Sequence, residues 1–95
     1  MEQDADRIRR AFGLALKSCR TACAISQEAL ALSAGVDRTF VSLLERGLRQ
    51  PTLETLFRLA AVLDTSPEAM VAMTRQNLTR SPANRARRQS NALSK

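Results

Sequence analysis

Two helix starts and two glycine stops fall within residues 26–47, and that spacing admits only two short helices joined by a tight turn. Ser26 is a good N-cap, with Gln27 and Glu28 in the first turn behind it. Ile25 before the cap and Leu30 after it have the spacing of a hydrophobic staple. Gly35 ends this helix, because glycine reaches positive φ at little steric cost. Asp37 is placed to cap the next helix, which runs from Arg38 to Arg46 and is closed by Gly47. Ala31 is the small residue needed where the two helices cross. Val36, Val41 and Leu44, together with Phe40, form the face that anchors the second helix.

The flanking residues carry the helical period in both directions. From Ala5 to about Thr21, apolar residues recur at Ile8, Phe12, Ala15, Leu16 and Cys19, with Arg7, Arg10, Lys17 and Arg20 mostly on the other side. Thr21 to Ala24 breaks that pattern. Leu48, Arg49, Gln50 and Pro51 read as a loop. Thr52 caps a fourth helix with Leu53, Leu56, Leu59, Ala60 and Leu63 on one face. Ser66, Pro67 and Glu68 start a fifth, with proline at the first helical position and Met70, Val71, Met73 and Leu78 as its apolar residues. The only aromatic residues are three Phe, so the core is aliphatic and suits packed helices better than a sheet. The expected fold is all-α: a compact five-helix domain over residues 5–75, then a basic tail over 76–95.

The charge is as unevenly distributed as the apolar residues. All nine acids lie before residue 75, whereas Arg75, Arg80, Arg85, Arg87, Arg88 and Lys95 follow with none among them. The whole +6 excess therefore sits in residues 75–95. Past Arg80 the chain is Ser, Pro, Asn, Arg and Gln with Leu93 its one large apolar residue, a composition expected to stay mobile when alone. A neutral helical domain with a basic extension has the electrostatics of a polyanion binder.

Other classes are excluded by what the chain lacks. It has no His, no Tyr, no glycine-rich phosphate loop and no clustered carboxylates, so an enzyme is not expected. Cys19 and Cys23 have no His and no third Cys to complete a zinc site, and read as buried, reduced thiols in a cytoplasmic protein. No apolar run approaches the roughly 18 residues needed to span a bilayer. The first residues lack the order of a secretory signal. Neither a cofactor nor a metal is expected, and no small-molecule ligand, because the residues past 75 are too few and too polar to build a sensing domain.

The unburied positions of the third helix then gain a meaning. Arg38, Thr39, Ser42 and Leu43 share one side, the side that the second helix of a helix-turn-helix turns towards the major groove of double-stranded DNA. Arg38 can donate two bonds to guanine O6 and N7. Thr39 and Ser42 can reach bases or phosphates, and Leu43 is suited only to a thymine methyl. Gln27, at the start of its helix, and Arg46, Arg49 and Gln50, at and beyond the end of the next, are expected to hold phosphates, which positions the protein without reading sequence.

The segment SQEALALSAGVDRTFVSLLERGLRQPTLETLFRLAAVL resembles the lambda-repressor-like, or XRE, helix-turn-helix family of bacterial and phage regulators. The Ser-Gln pair, the Ala-Gly-Val turn, the Glu-Arg-Gly end of the third helix and the Pro-Thr before the fourth match in order, within roughly residues 7–73. The resemblance implies a five-helix fold, dimeric operator binding and DNA contacts by Gln27, Arg38, Thr39, Ser42 and Arg46. It also implies a structural ion pair between Glu45 and Arg20. Leu43 departs from the polar or charged residue usual there.

The expected function is that of a sequence-specific transcription regulator, most simply a repressor. It would act as a homodimer through the region of the fifth helix, because one recognition helix reads too few base pairs and two half-sites about 34 Å apart supply the rest. The competing reading is an antitoxin or other interaction module that neutralises a partner through its tail and regulates its own operon. The scarcity of apolar anchors in residues 80–95 weighs against it.

Overall fold

The computed structural model of the chain describes residues 2–79. Within them five helices follow in order: α1 (Glu2–Ala22), α2 (Gln27–Ala34), α3 (Arg38–Glu45), α4 (Leu53–Val62) and α5 (Pro67–Thr79). α1 and α5 thus reach past the expected domain limits of 5 and 75, and the expected tail lies almost wholly outside the described residues. α1 packs along α5 and across α3, while α2 packs against α3 and α4.

The largest fully buried side chains are Leu16, Leu30, Val41, Leu44, Leu59 and Met70, so every helix contributes at least one. Each such residue contributes about 1.5–3 kcal/mol by leaving water, and together they hold α2, α3 and α4, which are short enough to be marginal singly, against the longer α1 and α5. The helical pattern overreached at three positions. Ile8, Leu53 and Val71 are exposed rather than buried. Leu53 shows why: it lies at the edge of the core stripe, next to the exposed Phe57, and in the first turn of α4.

Starts and stops are built from local chemistry. The hydroxyls of Ser26, Thr52 and Ser66 accept from the N–H groups of Ala29, Thr55 and Ala69 at 3.0, 3.1 and 3.0 Å. Asp37 differs from expectation. It has the extended N-cap backbone, but its carboxylate makes no capping bond, so α3 starts without side-chain help. At the other ends, α1 to α4 are each followed by a residue with positive φ: Ala24 at 58°, Gly35 at 72°, Gly47 at 75° and Asp64 at 56°. In each case the next residue donates its N–H back into the helix. Ile25 bonds Arg20 O at 3.4 Å, Val36 bonds Ala31 O at 3.0 Å, Leu48 bonds Leu43 O at 2.9 Å and Thr65 bonds Ala60 O at 3.0 Å. These bonds satisfy carbonyls that a helix end would otherwise leave open.

Both cysteines are free and half-buried, not fully buried as expected. Cys19 Sγ lies 3.7 Å from Met73 Sδ, and the Cys23 thiol donates to Leu63 O at 3.3 Å. Burial first, and then the neighbouring Cys23, push the Cys19 thiol above its ordinary pKa, which favours its protonated form.

Candidate nucleic-acid interface

α3 has two distinct sides. Val41 and Leu44 are fully buried and Phe40 is half-buried against the core. On the other side Arg38 and Thr39 are exposed, and Ser42 and Leu43 are partly so. With a residue every 100° and Cβ atoms tilted towards the N-terminus, these four form one continuous surface over the first two turns. Arg46, Arg49 and Gln50 are exposed where α3 ends and the loop begins.

Three contacts hold the far end of α3. The first is an ion pair: Arg20 Nε donates to Glu45 Oε2 at 2.6 Å and Arg20 Nη2 to Glu45 Oε1 at 3.1 Å, with the two side chains only 13% and 4% exposed. Arg20 Nη1 also donates to Ile25 O at 2.9 Å, which ties the pair to the residue before α2. The hydrogen bond to Glu45 raises the Arg20 pKa above its usual value, so the guanidinium stays charged. A carboxylate this buried requires such a partner, and removing one member of the pair would leave the other unpaired at a cost of about 3–5 kcal/mol.

The second contact joins Gln27 to the same carboxylate, its Nε2 donating to Glu45 Oε1 at 3.0 Å. Expected only to hold a phosphate, Gln27 is half-buried and spends one amide proton inside the protein. This fixes the start of α2 relative to the end of α3. Nothing in the local sequence signals the bond, because the two residues meet only through the fold.

The third contact is backbone on backbone. A Cβ at Gly13 would stand 2.5 Å from Leu44 O and 2.6 Å from Glu45 O, so α1 and α3 approach to a distance that no side chain permits. A Cβ at Gly47 would meet Arg10 Cγ at 2.8 Å and Arg10 Cα at 2.9 Å. Sequence reading passed over Gly13, although a glycine inside an otherwise regular helix, costing about 1 kcal/mol relative to alanine, is itself a sign of close packing.

No group of His, Cys, Asp or Glu among the described residues could hold a metal ion. No helix of the described residues is long and apolar enough to cross a membrane.

Residues 16–70, which span the end of α1, all of α2, α3 and α4, and the first turn of α5, match the helix-turn-helix family HTH_3. The chain belongs to this family. This helix-turn-helix protein is similar to several solved structures. The restriction-modification controller protein C.AhdI from Aeromonas hydrophila is 40% identical over 65% of this chain and 94% of its own, with a TM-score of 0.64. The clp gene regulator ClgR from Corynebacterium glutamicum is 25% identical over 92% of this chain and 88% of its own, with a TM-score of 0.74. An HTH_3 family transcriptional regulator from Vibrio cholerae is 29% identical over 72% of this chain and 38% of its own, at a TM-score of 0.67. No curated protein matches. The fold is that of the all-α helix-turn-helix regulators, and the chain is a DNA-binding regulator of transcription by family.

Proposed function

We propose that the chain is a homodimeric repressor that acts in the cytoplasm on a two-fold symmetric operator. One α3 from each copy would enter the major groove. Arg38, Thr39, Ser42 and Leu43 would face base edges, while Gln27, Arg46, Arg49 and Gln50 hold phosphates on either side. The observation that supports this best is the open side of α3, which keeps donors at its N-terminal end while its other side is fixed by Glu45, Gly13 and Gly47. Similarity to a controller protein and to a gene regulator supports a role in transcription. The remaining amide proton of Gln27 is still available to an anion at the start of α2.

Selection of bound fragments from genomic DNA, followed by titration of the preferred site, tests the assignment. Arg38→Ala is expected to weaken binding by roughly 10- to 100-fold and to relax preference at one base pair of each half-site. Unchanged affinity and preference in that variant would remove α3 from the reading surface. Arg49→Ala is expected to weaken all sequences alike and to lower the salt slope by about one. Removing residues 80–95 should reduce affinity and salt dependence but leave the preferred sequence intact, since that stretch holds five positive charges and no acid.

A further inference from the structure

α5 is occupied within the chain on one face only, while Glu68, Val71, Ala72, Arg75 and Gln76 are exposed on the other. Met70 is fully buried, Thr74 is buried and Met73 meets Cys19, which leaves Val71 as the one large apolar residue of α5 that is strongly exposed. α4 is different. Leu53 is 75% exposed and Phe57 60% exposed, and Ala61 is exposed one turn further on. These three residues recur every four positions and so form a single stripe along the helix. Beside the stripe run Glu54 and Arg58, paired at 2.6 Å within the chain. An exposed Leu and Phe in line, rimmed by charge, mark a surface that another molecule covers.

We infer that this stripe of α4 is the surface on which a second copy of the chain docks, the two α4 helices lying antiparallel across a two-fold axis near Phe57. The inference rests on the dimeric reading above and names its contact. The charges identify the occupant. In an antiparallel pair of identical helices, like flanks face each other in reversed order, so Glu54 of one copy comes beside Arg58 of the partner. Both ion pairs then form across the axis, and the stripe is charge-complementary to itself. Phe57 stacks near its own symmetry mate, and Leu53 covers the partner's Ala61. An isologous contact of this kind closes at two copies, as a two-fold operator requires.

Sedimentation of the full chain and of Phe57→Glu, with helicity and melting followed alongside, tests the contact. The variant is expected to fold normally, because Phe57 lies outside the core, and to raise the dimer dissociation constant by at least roughly thirtyfold. It should still bind an isolated half-site with the original base preference. A second pair of variants guards against a misleading single change. Glu54→Arg alone and Arg58→Glu alone should each self-associate weakly, and their mixture should form heterodimers. Phe57→Glu dimerising as tightly as the parent, or Val71→Asp dissociating the parent dimer instead, would overturn the assignment to α4. A parent chain that stays monomeric both free and on a two-half-site operator would sink the dimeric reading itself. A dimer that binds no DNA fragment would sink the regulatory reading and leave the contact standing.

Discussion

Helices α2 and α3 end in glycine, whereas α1 and α4 make the same left-handed turn with Ala24 and Asp64. The hydrogen bonds that close the four ends are alike in pattern, so the difference lies in what each position tolerates. An L-residue with a Cβ loses about 1–2 kcal/mol in this region of φ and ψ, and Asp somewhat less because its short polar side chain is accommodated there. The two glycine ends bound the turn and the recognition helix, and the two strained ends lie outside that unit. Relaxed termini therefore frame the part of the molecule whose geometry must be accurate, and strain is tolerated elsewhere.

Exchanging residues between the two kinds of end should separate steric cost from conformational cost. Gly47→Ala combines a disfavoured backbone with a collision against Arg10, and is expected to lose roughly 2–5 kcal/mol, read by thermal or denaturant unfolding. Gly35→Ala carries the same backbone penalty, but its Cβ would meet only Arg58 Nη1, at an ordinary 3.7 Å. Its loss should be about 1 kcal/mol, or roughly 4–8 °C in Tm. If the two alanine variants melted alike, the contact between Gly47 and α1 would carry no energy. Ala24→Gly should change the sign, gaining about 0.5–1 kcal/mol as the strained end is relieved. Asp64→Gly should gain the least, a few tenths of a kcal/mol, because Asp already tolerates the turn.

The same contrast explains what could be read before the fold was known. Ser26, Gly35, Gly47, Thr52 and the Ser66–Pro67 pair each have a local preference strong enough to place a boundary, and each boundary stands within a residue or two. Ala24 and Asp64 carry no comparable signal, so the end of α1 showed only as a broken pattern. The angular pattern found the buried Leu56, Leu59, Ala60 and Leu63, but it does not fix how wide the core stripe of α4 is, and so misplaced Leu53 at its edge. At the interface, the outward position of Arg38 and Thr39 follows from the period of α3. The bond between Gln27 and Glu45 joins residues from different helices, and local preference is silent about such a meeting.

The approach of α1 to α3 at Gly13 bears on how movable the reading unit is. A side-chain interface has rotamers through which two helices can slide or tilt, but here carbonyl oxygens of α3 sit where a Cβ would otherwise stand. The pitch of α3 is thus inherited from the first helix, outside the stretch that carries the proposed contact residues. Residues 26–47 are not a portable cassette. Grafted into a host whose first helix bears a side chain at the matching place, they would keep their helicity and lose their operator preference, and a glycine introduced at that place in the host should restore it.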